Sequence, residues 1–473
     1  MAAAPMPASW FILCRVVDHY GDAGVCWRLA RQLANEYDLD ITLFIDDLNT
    51  LQRLIPTLDT TQNEQRINNV TVRRLTDTLL PPVSCASSWE TLIKPASEMK
   101  REAPEAQQPR PIKTIGEVAN TAQQSDSFAQ PFNQCFSWPA VIVDTFGGGL
   151  PASWLAALKR DFPPLATEKE KEEKASPKLP EAPRWIVLEY LSAEPWVETM
   201  HGLASPPPSI NLPRHFFFPG FTEATGGLLY EKTLLDERDA FCSPEHFQTA
   251  RRAFLERLGI NTLPPNALLV SLFCYDTPAL PALLDAWAAS PTPVVCLIPE
   301  TVAPETVQRW QRLHNAEALA TRNIATRGAL TLHTIPFLPQ ADFDRLLWCC
   351  DLNFVRGEDS FVRAQWAARP FVWQAYQQNE QTHLIKVDAF LKRYLAAAPD
   401  NLKTALSDFT RAWNDEQQTN RIVDTWRLLT GQLPSLKKLA LDWAQQQSTQ
   451  DDLARRLIAF AHQSRERFFV RES

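Results

Sequence analysis

Short apolar runs alternate with amphipathic stretches through most of this 473-residue chain. Trp10 to Val17 is an apolar run of strand length. His19 to Gly24 reads as a glycine-containing turn, and Val25 to Tyr37 as a helix with Val25, Leu29 and Leu33 on one face. Ile41 to Ile45 predicts the next strand, about Leu48 to Leu54 a helix, and Val70 to Arg74 a short strand. Ala140 to Asp144 and Trp185 to Leu191 extend the series. A second series predicts strands at Ala267 to Phe273, Pro293 to Ile298, Leu330 to Ile335, Leu352 to Val355 and Phe371 to Gln374. Helices are predicted between them at Leu280 to Ala289, Val302 to Ala318 and Ala341 to Trp348. Strand–helix–strand alternation implies parallel sheets with right-handed crossovers.

A chain of this length exceeds one ordinary core, so two domains are expected. Pro206-Pro207-Pro208 reads as the seam, placing one domain in residues 1–205 and the other in 209–450. A last helix, Asp451 to Phe469 within residues 451–473, is expected to be able to cross back to the first domain. Two stretches interrupt the pattern. Residues 95–131 are rich in Pro, Gln, Ser and Glu, and 167–180 carry an alternating Glu/Lys run. The first reads as a mobile insertion, and the second as a solvated surface loop whose charge run carries no chemistry. The expected fold class is α/β: two doubly wound, Rossmann-like domains facing across a cleft, the arrangement called GT-B. Ligands in such sheets lie outside the carboxyl ends of the strands.

Composition changes the picture little. Apolar residues make up 45% and charged residues 22%, as in ordinary globular chains. A net charge of -8 without a basic stripe argues against a nucleic-acid partner. Nine cysteines without any CxxC spacing argue against zinc and dithiol chemistry and suit a reducing cytoplasm. The first residues do not read as a signal peptide, and no apolar run is long enough to span a bilayer.

Three groups of residues carry chemistry. Around Arg356-Gly357-Glu358-Asp359-Ser360, a strand breaks into a turn and a helix is expected to start near Phe361. A helix N-terminus attracts anions, and the planar fork of Arg356 suits phosphate oxygens. The bland alternative is a capped turn with a surface ion pair. Asp18 and Asp22 flank the first turn; they suit cation binding or base catalysis, with His19 as a further base. The alternative is that Asp18 caps the turn and Asp22 the helix. Phe273, Tyr275, Phe337, Phe343 and Tyr376 lie at strand ends or just before the Arg356 motif, where aromatic rings can stack on a nucleobase while Gln340 bonds its edge; core packing is the alternative.

The run CRVVDHYGDAGVCWRLARQL from Cys14 to Leu33 resembles the opening of the bacterial protein-arginine rhamnosyltransferases that modify translation elongation factor P. So do LEYLSAE from Leu188, FFFPGFT from Phe216, TGGL from Thr225 and RGEDSFVRAQW from Arg356. His19 departs from the family, which often has Asn there, as do the triglycine after Asp144 and the two insertions. The resemblance implies dTDP-β-L-rhamnose as donor, an arginine of elongation factor P as acceptor, inversion at the anomeric carbon, and no cofactor or obligatory metal. It implies Asp22 as base with Asp18 beside it, and Glu358 as a third catalytic residue near the donor. It also implies a nucleotide pocket of Phe273, Tyr275, Phe337, Gln340, Phe343 and Tyr376, with Arg356, Asp359 and Ser360 at the diphosphate. Two rivals remain: a GT-B transferase with another sugar and acceptor, and a non-catalytic nucleotide-binding module that docks on a translation factor.

Overall fold

The computed structural model describes residues 8–79, 138–164, 182–314, 317–319 and 323–467. The two expected insertions, 95–131 and 167–180, lie outside the described residues.

Eight strands form the first sheet: β1 (Ser9–Cys14), β2 (Asp40–Ile45), β3 (Glu64–Ile67), β4 (Val70–Arg74), β5 (Val141–Thr145), β6 (Arg184–Leu188), β7 (Ala204–Ser205) and β8 (Arg214–Phe217). Their spatial order is β3-β4-β2-β1-β5-β6-β8-β7, parallel apart from edge strands β3 and β7. The second sheet holds β9 (Leu268–Leu272), β10 (Val294–Pro299), β11 (Glu317–Leu319), β12 (Ile324–Arg327), β13 (Leu330–Ile335), β14 (Leu352–Arg356) and β15 (Phe371–Gln374). Their order is β11-β12-β13-β10-β9-β14-β15, with a parallel centre and an antiparallel β11-β12 edge. Central strands are apolar on both faces because helices cover both: Phe11, Ile12, Leu13 and Cys14 of β1 are all buried.

In each sheet the chain builds outward one way, then returns to build the other way. The reversal falls between β1 and β5 in the first sheet and between β9 and β14 in the second. A crevice opens where strand order reverses, because the crossovers on either side pull apart. The carboxyl ends of β1 and β14 therefore sit at the two places where a ligand site is most readily built. They carry Asp18 and Arg356.

The proline seam is displaced. β8 pairs in parallel with β6, Trp185 opposite Arg214 through Leu188 opposite Phe217. The first sheet thus extends past residue 209, where the second domain was expected to begin. Alternation in the four-residue strand β8 is too short to read beside its flanking prolines. The first helix runs His19–Glu36 rather than starting at Val25, and β1 ends at Cys14 rather than Val17. The glycines read as turn punctuation lie inside the helix, where other side chains approach them closely. A Cβ on Gly21 would fall 2.6 Å from Asp18 Oδ2, and one on Gly24 would lie 3.0 Å from the Asp359 carboxyl. Leu453, Ala454, Leu457 and Ala461 of the last helix, Leu453–Arg467, are buried in the first domain's core beside Leu29 and Leu33.

Candidate active site

Burial and hydrogen bonding fix the turn after β1. One oxygen of Asp22, Oδ2, accepts the backbone N–H groups of Val17 and Asp18, each at 2.8 Å. The Asp22 carboxyl thus folds back over the turn that precedes it and is only 1% exposed. The Tyr190 hydroxyl, beyond the end of β6, lies close enough to Asp22 to draw its pKa down, and its ring stacks on Phe146 at 4.4 Å. Burial pushes the Asp22 pKa up, against these hydrogen bonds. Asp18 makes no side-chain cap to the helix it precedes. Its Oδ2 instead accepts the Tyr275 hydroxyl at 2.7 Å, across the cleft. The Asp18 pKa is pushed up to about 6 by burial, while Tyr275 and the Arg356 charge pull it down.

The opposite wall is the turn between β14 and the Asp359–Trp366 helix. Ser360 Oγ accepts the Arg356 N–H at 2.9 Å and donates to the Arg356 carbonyl at 2.5 Å, so the turn is closed on itself. Trp373 Nε1 donates to the Gly357 carbonyl at 2.8 Å. Gly357 has φ +58, and a Cβ there would collide with Asp18 Oδ2 and the Tyr275 hydroxyl. Only glycine permits both that backbone conformation and that approach. The Arg356 guanidinium lies 4.7 Å from the Phe273 ring centre and 4.5 Å from that of Tyr275. Stacking and a long hydrogen bond from one terminal nitrogen to the Cys274 carbonyl, at 3.5 Å, hold the cation in place, with further N–H groups to offer a ligand.

Glu358 completes an acidic cluster. Its carboxylate accepts the Leu191 N–H at 2.9 Å. Burial pushes its pKa up to about 8, against that bond, and the Asp22 charge adds to the rise. Three carboxyl groups gathered in a largely buried site lower their electrostatic cost by keeping a proton or by facing a cation.

Two cavities meet here, and Asp18 lines both. The first is lined by Phe273, Phe337, Gln340, Phe343, Arg356, Asp359 and Ser360, with Tyr20 and Gly21 from the first domain. The second is lined by Asp18, Tyr190, Glu358, Trp373, Tyr376 and Lys386. Gln340 donates Nε2 to the Gly24 carbonyl at 3.1 Å, while its Oε1 is buried without a partner. An amide oxygen so placed suits a ring N–H of a base.

Most of the residues singled out from sequence converge, with differences in detail. Tyr376 lies by the second cavity, its ring 5.6 Å from that of Tyr275. The Asp359 carboxylate is engaged by Arg28 Nε at 2.9 Å rather than facing an anion, which it would repel. His19 starts the first helix at φ 32. Sequence reasoning missed Tyr190, Trp373, Lys386 and Arg28. Tyr190 follows a strand in a polar-aromatic run, a signal that was available; Arg28, inside a helix, offered none. Among the described residues, no group of three or more His, Cys, Asp or Glu side chains is arranged to hold a metal ion. No described helix is long and apolar enough to cross a membrane. The described cysteines are all free.

Comparison with known proteins bears on what this geometry serves. A protein-arginine rhamnosyltransferase of Pseudomonas putida is 38% identical over 97% of this chain and 100% of that protein. One of Pseudomonas aeruginosa is 36% identical over 96% of this chain and 98% of its own length. A solved structure concerning EarP-mediated arginine glycosylation of translation elongation factor EF-P superposes with a TM-score of 0.56 at 30% identity, covering 97% of this chain and 99% of that one. The expected two-domain GT-B architecture is thereby supported on a near full-length relative. The sequence pattern described as Elongation-Factor P (EF-P) rhamnosyltransferase EarP matches residues 10–89 and 91–462. The chain belongs to that family of glycosyltransferase enzymes.

Proposed function

We propose that this enzyme moves L-rhamnose from dTDP-β-L-rhamnose to an arginine side chain of elongation factor P, with inversion at the anomeric carbon. The observation that carries the reading is the approach, across one cleft, of the Asp18 and Asp22 turn of the first domain to the turn of the second that holds Arg356, Glu358 and the N-terminus of the Asp359–Trp366 helix. The anionic side suits a guanidinium acceptor. The cationic side suits a departing nucleoside diphosphate.

The thymine ring would stack among Phe273, Phe337 and Phe343 and present its N–H to Gln340 Oε1. The diphosphate would lie on Arg356, Ser360 and the helix N-terminus. Asp359 would act through its backbone and through Arg28, not through its carboxylate. Glu358 would face the sugar, with Tyr275 and Tyr376 closing the space between the cavities.

A guanidinium has a pKa above about 12 and a carboxylate usually near 4. Asp22 therefore cannot deprotonate it beforehand. As the guanidinium nitrogen forms its bond to the anomeric carbon, its proton passes to the Asp22 carboxylate, and the carbon–oxygen bond to the diphosphate breaks. The pair goes with the leaving dTDP, whose charge Arg356 and the helix N-terminus stabilise. Attack from the face opposite the leaving group inverts the centre. Asp18 orients the guanidinium beside Asp22. The supporting features are family membership, the burial of Asp22 and its fixed oxygen, and the unpartnered Gln340 Oε1.

The test is intact-mass analysis of elongation factor P after incubation with enzyme and dTDP-β-L-rhamnose. A gain of one deoxyhexose is expected. An unmodified acceptor, in the presence of enzyme that binds the donor, refutes the reading.

A further inference from the structure

Arg28 belongs to the helix whose first turn carries Asp22, yet it is 1% exposed and points into the second domain. Its Nε donates to Asp359 Oδ1 at 2.9 Å. Its two terminal nitrogens donate to Asp344 at 3.1 and 3.2 Å, and one of them reaches Glu231 at 3.3 Å. Asp344 and Asp359 sit on successive helices, Gln340–Cys349 and Asp359–Trp366. Arg363 organises this socket from inside the second domain, forking onto Asp344 at 2.8 Å twice and onto Glu231 at 2.7 Å. Arg31 approaches Glu231 at 3.6 Å. Three arginines thus meet three carboxylates, so withdrawing Arg28 leaves a buried excess of negative charge.

The position of the socket gives it a consequence for the reaction. Asp359 is the first residue of the helix whose mouth is Arg356, Gly357 and Glu358. One turn before Arg28, Gly24 allows the two helices to touch, and its carbonyl is held by Gln340. We propose that Arg28 is a positioning residue, whose guanidinium, seated among Asp344, Asp359 and Glu231, docks the diphosphate end of the second domain onto the carboxylate turn of the first. It touches neither donor nor acceptor. Its effect on turnover rests on the reading given under Proposed function, because alignment matters only if the two walls react together. A lysine cannot replace it: one ammonium cannot fork onto three carboxylates.

The test uses Arg28→Lys and Asp344→Asn in the full chain, so that it does not hang on one variant's folding. Arg28→Lys is expected to lower kcat at least tenfold, while the calorimetric Kd for dTDP changes less than threefold. Asp344→Asn is expected to lower kcat by a smaller factor. A readout that needs no substrate accompanies these: the small-angle scattering radius of gyration rises in Arg28→Lys as the domains part. Folded Arg28→Lys with wild-type kcat, or with an unchanged radius of gyration, overturns the proposal. Wild-type enzyme that leaves elongation factor P unmodified, while Arg28→Lys still expands, overturns the rhamnosyl-transfer reading and leaves the docking role standing.

Discussion

The Tyr275 hydroxyl donates to Asp18 Oδ2 at 2.7 Å, and the same tyrosine ring carries the Arg356 guanidinium 4.5 Å from its centre. One side chain of the second domain therefore touches both the anion of the first domain and the cation of its own. A short, rigid linkage of this kind holds opposite charges near each other without letting them pair. Each stays available to a substrate group of the opposite sign.

Asp22→Asn keeps the size and the backbone bonds of Asp22 but removes its basicity. Turnover is expected to fall by about 10²–10⁴, the usual contribution of a general base. The calorimetric affinity for dTDP is expected to stay within a few-fold, since Asp22 does not line the cavity assigned to the nucleotide. A variant that glycosylates at the wild-type rate rules out Asp22 as the base.

Arg356→Ala removes a stacked cation and its charged hydrogen bonds. The loss expected is about 1.5–3 kcal/mol, or roughly tenfold to a hundredfold in Kd for dTDP-β-L-rhamnose. Calorimetry measures it directly. The affinity for thymidine, which has no phosphate, is expected to change little; equal losses for both ligands would mean a collapsed pocket.

Gly357→Ala puts a side chain at φ +58 and against Asp18 and Tyr275. The backbone term alone costs about 1–2 kcal/mol. Activity is expected to fall further than thermal unfolding does, because the collision parts the two walls of the site. Wild-type turnover in this variant would show that the close approach of Asp18 is not needed.

Stability should depend on pH through Asp18 and Glu358. In the folded chain their carboxyls hold protons to about 6 and about 8, against ordinary values of 3.8 and 4.5. Between those limits the unfolded chain has already released protons that the folded chain retains. Their contribution to stability therefore falls as pH rises from about 4 to about 8. Glu358→Gln is expected to flatten the upper part of that slope in thermal unfolding followed across pH. An unchanged slope would mean that Glu358 is ionised throughout.

Strand and helix alternation, the two-sheet organisation and the placing of charged residues after β1 and β14 were legible in the chain. Apolar runs such as Trp10 to Cys14 can only be buried on both faces, which forces helices onto both sides of a parallel sheet. The motif at Arg356 was legible because glycine, capping residues and arginine act over a few neighbouring positions. The resemblance to a known family carried the family membership, on which the proposed acceptor and donor rest. Other features depended on residues far apart in sequence. Whether Asp18 caps its helix or faces Tyr275 is decided by a side chain 257 positions away. Asp359 looked like a phosphate ligand until Arg28, 331 positions earlier, proved to hold its carboxylate. The domain seam moved because β8 finds its partner in β6, a pairing that four residues do not announce. Local patterns determine what each segment can be; burial and charge pairing across the cleft, which exist only once both domains are folded, decide what each side chain faces.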